Sequence, residues 1–417
     1  VLFTPFTASN SSSNSITVKC DPPSRYTVVD NNIMQYAEIV FTLIATNTDV
    51  VSRKIFEDFG TPAQETAPRS YPLARCTQNA ELIINSTSFS STPYQHLDAI
   101  IKYGYIPDEQ ERGLKSVTPT MLDNTYDYAL SYNRPSRDVM NGNYYESGEQ
   151  TSRGAFCDFQ VLTNPVILAG GTGTATLKLI IQEPIMVSPL YYQSSGLIQC
   201  TTMTYNFTYG DLSRMICRRA TLGVLGNPLA ITSMGAVINI FQLWAKFYTP
   251  KLLDSVPKNS VYDYFEIGNY GSNEAQATLL AGASSVANMN SVNLSSIPSR
   301  IYFYVGENLS DKSFGSGGLS KPDVSNALIT GISVQWLGQA GYLSTLTSRQ
   351  LYEMSCNNGL KQSWSEFSKF NGSFCCIDVA KDLGLKSNMV VSLLTNPQLN
   401  MNVSYTNISN RPIKFTL

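Results

Sequence analysis

The sequence has one histidine, three tryptophans and unusually little charge: 14% of its 417 residues are Asp, Glu, Lys or Arg, against roughly 25% in an ordinary soluble domain. The single histidine excludes most imidazole chemistry. A zinc or iron site built on several histidines cannot form within one chain, and any Ser-His-Asp device would have to use His96. His96 falls in an expected helix beside Gln95 and Asp98, a set that matches no catalytic constellation, so a packing or surface role is expected. Phosphate loops of the G-x-x-x-x-G-K-[ST] type and G-x-S-x-G nucleophile elbows are absent. Gly170-Gly171-Thr172-Gly173 leads into an expected strand, whereas a dinucleotide loop must lead into a helix, so it reads as a turn. Asp127, Asp263 and Glu266 lie scattered among tyrosines, and nothing singles them out as an acid–base pair. No catalytic, cofactor-binding or metal-ligating residue is therefore expected.

Other absences bound the setting. No C-x-x-C pair occurs among Cys20, Cys76, Cys157, Cys200, Cys217, Cys356, Cys375 and Cys376. Cysteines scattered this way read as buried free thiols in a reducing compartment, although an even count leaves disulfides open. After Val1 there is neither a basic stretch nor a long apolar run, so no signal peptide is expected. The most apolar segment, Leu229 to Ala245, is short for a membrane helix and contains Asn239 and Gln242, which suits a core strand. Ala8–Ser15 carries no cation, the first being Lys19, and the net charge is −2. A protein that condenses nucleic acid needs cations to displace counterions, so sequence-specific or tight nucleic-acid binding is not expected.

In place of charge, Asn, Ser, Thr and Tyr cover the surface. Such a surface pays little desolvation when pressed against a neighbour, which favours extensive subunit contacts. A secreted, polar β protein has the same composition.

Strands dominate the pattern. Thr202–Tyr209 and Leu399–Thr406 alternate polar and apolar residues without a break. Tyr36–Ala45, Glu81–Phe89, Ala155–Leu162, Thr174–Ile181, Val237–Phe247, Ile301–Val305 and Ile329–Leu337 are further expected strands. Three short helices are expected: one after Thr92-Pro93, one capped by Thr347-x-x-Gln350 and ending at Asn357-Asn358-Gly359, and one opened by Ser363-x-x-Glu366 with Trp364 and Phe367 inward. Many short strands with turn chemistry between them describe sandwiches or barrels.

The order of elements suggests a duplication. Arg69–Leu73, the strand around Ile83 and the helix after Thr92 run parallel to Arg300–Phe303, the strand around Ile332 and the helix after Thr347. This implies an N-terminal arm over 1–30, a first β domain over 31–195 and a second over 196–417. Long connections at 105–154 and 249–290 would form outward loops or interlocks with neighbours.

Several segments resemble the double jelly-roll major capsid proteins of virophages, Polintons and Polinton-like viruses. In the second half these are Leu294–Val305, Ile332-Ser333-Val334-Gln335-Trp336, Gly341-Tyr342-Leu343-Ser344, Leu351–Gly359, Gly372-Ser373-Phe374 and Asp382-Leu383-Gly384-Leu385. In the first half they are Pro68-Arg69-Ser70-Tyr71-Pro72-Leu73, Ile84-Asn85 and Val187-Ser188-Pro189-Leu190. The likeness runs from about residue 65 onward. It implies an all-β chain with a few short helices, made of two tandem eight-stranded jelly rolls. It further implies a non-enzymatic subunit without cofactor, forming homotrimeric, pseudo-hexameric capsomers of an icosahedral double-stranded DNA virus shell. The implied partners are its own copies, neighbouring capsomers, and penton and minor capsid proteins; the implied location is the virion, assembled in the reducing interior of a host cell. The arm would then order only within the shell.

Two other classes remain open at this stage. A carbohydrate-binding or adhesive β-sandwich surface protein suits the tyrosine-rich loops. A bicupin also has two jelly rolls, but a cupin metal centre needs more than one histidine.

Overall fold

The computed structural model describes residues 2–416 apart from 56–65, 69–70, 96–155, 188–195, 219–228, 252–260, 263–265, 273–277, 308–326, 361–363, 369–373, 385–397, 409–411 and some single or paired positions. The chain divides into two compact units, the first running mainly to Ile267 and the second mainly from Gly268.

The main elements of the first unit are β1 (Leu2–Thr7), β2 (Ser15–Lys19), β3 (Met34–Asn47), α1 (Pro72–Cys76), β4 (Thr77–Ile84), β5 (Thr87–Ser91), β6 (Phe156–Thr163), β7 (Thr172–Pro184), β8 (Met203–Tyr209) and β9 (Leu229–Tyr248). One sheet has the order β1-β9-β3-β7-β6 and the other β2-β8-β4-β5, with Asn10–Ser11 added at the β2 edge. All these pairings are antiparallel. The chain passes from one sheet to the other between β1 and β2, β2 and β3, β3 and β4, β5 and β6, β7 and β8, and β8 and β9. That is an eight-stranded jelly roll with β6 as an extra edge.

Alternation creates the core. Along β3 every second residue is buried, from Gln35 and Ala37 through Ile39, Phe41 and Leu43 to Asn47, while the intervening side chains are half-buried on the other face. A shift of one residue would turn this whole row outward, which is why the register holds. From the opposite sheet, Tyr205, Phe207 and Tyr209 of β8 stack at 5.8 and 6.2 Å, and Phe207 meets Phe241 of β9 at 5.5 Å. Each such ring pair adds about 0.5–1.5 kcal/mol beyond area burial.

Four expectations change here. The boundary near residue 195 moves to 267/268, because β8 and β9 complete the first roll: β9 lies between β1 and β3. The N-terminal segment is not a free arm, since Leu2–Thr7 pairs with Gln242–Phe247 and Ser15–Lys19 with Thr204–Thr208. The expected single strand Glu81–Phe89 is a hairpin: Ile84 pairs with Thr87 across Asn85 and Ser86, whose φ angles of 46° and 71° make the left-handed two-residue turn that matches strand twist. The connection 249–290 ends early, because a strand begins at Ser284; 105–154 lies outside the described residues.

The second unit contains β10 (Ser284–Asn293), β11 (Arg300–Tyr304), β12 (Ala327–Trp336), β13 (Gln339–Tyr342), α2 (Ser348–Asn357), β14 (Phe374–Asp378), α3 (Val379–Asp382) and β15 (Gln398–Asn407). The sheet β10-β15-β12-β13 repeats the first-last-middle order of β1-β9-β3, and the pair β11-β14 repeats β2-β8. The internal repeat is therefore real but out of step with the expected one: the strand around Ile332 corresponds to β3, not to the strand around Ile83. Residue kinship between Arg69–Leu73 and Arg300–Phe303 also fails, since Pro72 and Leu73 start a helix and Arg300–Phe303 is strand.

Helix α2 has the expected capping box, with Thr347 and Gln350 each accepting the other's backbone N–H. It lies against β14, where Ser355 Oγ accepts the Cys376 N–H at 3.1 Å and Asn358 Nδ2 donates to the Cys376 carbonyl at 3.0 Å. Phe367 is fully buried and packs with Trp364 on Tyr352. Of the helix after Thr92 only its first residues, 93–95, are described.

Candidate functional site

The described residues hold no group of three or more His, Cys, Asp or Glu side chains able to bind a metal. His96, Asp127 and Asp263 lie outside them, and Glu266 is exposed. Gly170–Gly173 forms the turn into β7, with Gly170 at φ +69°, and a strand follows it as expected. The six described thiols are free. Burial pushes Cys20 up to about 12, Cys200 up to about 11 and Cys376 up to about 12, so they are held as inert thiols. No helix among the described residues is long and apolar enough to cross a membrane.

One buried ionisable group escaped the sequence reading. Glu183 occupies the inward register of β7 after Ala175, Leu177, Leu179 and Ile181. Its carboxylate accepts the backbone N–H groups of Leu73 at 2.9 Å and Ala74 at 2.8 Å, fixing α1 to the sheet. Burial pushes its pKa up to about 8 against the opposing pull of those two N–H groups and Arg75. The signal was legible: a carboxylate at the apolar phase of an alternating strand must find partners.

The remaining chemistry lies on the outer surface. On the outward face of the first sheet, Tyr36 and Trp244 stack at 5.1 Å. Tyr36 donates to Glu38 at 2.8 Å and Lys178 to the same carboxylate at 3.1 Å, and these two bonds hold Glu38 below the usual carboxylate range. Around this one ion pair the cross-strand rows are mostly apolar or uncharged: Val237–Val40–Lys178, Ile240–Glu38–Ile180 and Gln242–Tyr36–Gln182. Val237 is 63% exposed and Ile240 40%. At the end of the same sheet, the adjoining turns leave Val50, Val51, Val166 and Leu168 exposed. Apolar side chains gathered on an exposed surface, with charge neutralised locally, mark a protein–protein contact face.

Asn-x-Ser/Thr glycosylation sequons begin at Asn10, Asn85, Asn206, Asn293, Asn308, Asn371, Asn402 and Asn407, and five of them divide by side-chain commitment. Asn85 Oδ1 accepts from the Thr201 N–H and hydroxyl, and its Nδ2 donates to Gln199. Asn206 bridges Thr17 and Glu81, and Asn407 is buried and donates to Leu279. Asn293 and Asn402 are exposed.

Comparison with known proteins gives a consistent picture. Residues 2–209 match the family model described as the Sputnik virophage major capsid protein 1st domain, and residues 268–371 that of the major capsid protein V20 C-terminal domain. The second match starts where the second unit starts. The chain is 27% identical to the putative capsid protein V20 of Sputnik virophage, over 98% of this chain and 70% of that one. Among solved structures, a chain of the Sputnik virophage determined by cryo-EM superposes with a TM-score of 0.81 at 24% identity, covering 100% of this chain and 84% of that chain. The mavirus major capsid protein superposes with a TM-score of 0.66 at 15% identity, covering 99% and 85%.

Proposed function

The chain belongs to the double jelly-roll major capsid proteins of the virophage kind, structural and non-enzymatic virion components, and from that premise we propose that three copies form a pseudo-hexameric capsomer of an icosahedral shell. The observation that carries this reading is the repeated strand order, β1-β9-β3 in one unit and β10-β15-β12 in the other. Two like rolls per chain give six like bodies per trimer, a shape that tiles a surface of hexagons with one gene product. The weakly charged outer faces supply contacts with little desolvation cost.

Penton and minor capsid proteins are the further partners in this reading, and the enclosed genome is double-stranded DNA. Assembly takes place in a reducing host interior, in keeping with free thiols at Cys20, Cys76, Cys200, Cys356, Cys375 and Cys376.

Native mass spectrometry of the purified full chain tests the capsomer. The expected species is three times the 45.9 kDa chain mass, with six-sided outlines in negative stain. A folded chain that stays monomeric at micromolar concentration would refute it.

A further inference from the structure

Strand β9 is longer than the strands that border it on one side. Toward the sheet interior, β3 pairs with it from Leu229 to Trp244. On the other side β1 reaches only Gln242 to Phe247. Among the described residues, no strand lies beside Thr232–Phe241 on that side. At about 3.3 Å per residue this is an open edge about 33 Å long.

Natural sheets protect such an edge with charge, proline, bulges or brevity; the register of β9 on β3 shifts between Ile231 and Ser233 and between Ile238 and Ile240, and the run from Ser233 to Ile238 is regular. Here Thr232-Ser233-Met234-Gly235-Ala236-Val237-Ile238-Asn239-Ile240-Phe241 has no charge, no proline and ten residues. Its outward side is open: Val237 and Ile240 are exposed, and a Cβ on Gly235 would meet nothing within 4 Å. Its inward side borders a groove of about 250 Å³, in which Met234 and Ala236 face Asn14, Leu212 and Ser213.

We propose that this edge pairs antiparallel with the same edge of a second copy of the chain, so that one sheet continues into its neighbour across a twofold axis. Three observations select a second copy. The edge carries no charge, so self-pairing sets no like charges against each other. The vacant line continues the row that β1 already occupies, so an added strand meets a sheet twisted and spaced to receive it. The segment is uncharged about Gly235, where an added Cβ would meet nothing within 4 Å. Pairing of identical edges is isologous and needs a twofold, which a threefold ring does not contain. Resting on the capsomer reading above, the contact therefore joins two capsomers rather than subunits of one.

The test uses full-length protein with Val237→Cys, Val237→Lys and Val237→Ser. Mild oxidation of V237C is expected to give a two-chain species on a non-reducing gel, absent from the wild type. V237K sets two cations together at the axis and is expected to abolish growth beyond the capsomer while leaving the capsomer's mass unchanged; V237S is expected to assemble like the wild type. Absence of the V237C cross-link, or unimpaired assembly of V237K, overturns the inference. The cross-link reports the edge and the mass reports the capsomer: a cross-linked pair from chains that never form trimers would sink the capsomer reading and keep the edge.

Discussion

The Glu183 carboxylate and the Leu73 backbone N–H stand 2.9 Å apart inside the first roll, where the end of β7 meets the start of α1. Two otherwise orphaned helix N–H groups, of Leu73 and Ala74, are satisfied by one buried acid, while Tyr71 before them adopts φ 48° to bring the chain into position. The anchor holds α1 against the sheet at the cost of burying an ionisable acid, which burial keeps protonated up to about pH 8.

That cost makes stability depend on pH. The folded value near 8 stands above the ordinary 4.5. Between those values the folded chain keeps a proton that the unfolded chain has released, so stability from this group is complete below 4.5, falls as pH rises to 8, and then levels. The slope from one group is at most about 1.4 kcal/mol per pH unit. Glu183→Gln leaves one N–H facing a donor and is expected to be less stable than wild type at pH 5 by about 1–3 kcal/mol. The gap should shrink toward pH 8. Urea denaturation of both proteins across this range measures it, and a gap constant with pH contradicts the assignment.

Asn85 joins a left-handed backbone to four side-chain hydrogen bonds reaching Gln199, Thr201 and Thr202. Asn85→Ala should cost about 2–4 kcal/mol, from roughly 1–2 for the left-handed residue and the rest for unpaired groups. Asn85→Gly restores only the backbone freedom and should fall between. For the same reason the Asn85-Ser86-Thr87 sequon should stay unmodified in folded protein, which intact-mass analysis after expression in a glycosylating host would check.

Thr347→Ala removes one half of the capping box on α2 and is expected to cost about 1 kcal/mol, with Thr347→Ser close to neutral. Thermal melts of the two variants decide it. Equal losses would mean that the methyl group, not the hydroxyl, matters.

Thiol reactivity should follow burial. Cys20, Cys76, Cys200, Cys375 and Cys376 are buried, and Cys356 is only half-buried. With Cys157 and Cys217 replaced by serine, a thiol reagent at pH 8 should titrate Cys356 first and the other five only on unfolding. Rapid labelling of Cys376 in the native chain would contradict the packing of α2 on β14.

Strand positions were largely legible, because burial on one face writes a period of two into the sequence. Met203–Tyr209 and Gln398–Asn407 fall within one residue of the alternating runs. The α2 cap was legible because it depends on residues three apart. Partnering was not. Nothing near Leu2 announces Phe247, and a boundary drawn through the polar Ser194–Gly196 segment cut off the two strands that close the roll. The Asn85–Ser86 hairpin was hidden because the turn lacks the usual glycine. The candidate contact face was visible only as low charge; its place on β9 required knowing how far β1 extends.

Pairing of Leu2 with Phe247 also has a consequence in time. Strand β1 waits for a partner made 245 residues later, roughly 12–50 s at 5–20 residues per second. Until then β3, central in its sheet, lacks the neighbour that will separate it from β1. The nascent first roll stays open for most of its own synthesis, and crowded polysomes become the setting in which its unpaired strands are most exposed to those of sister chains.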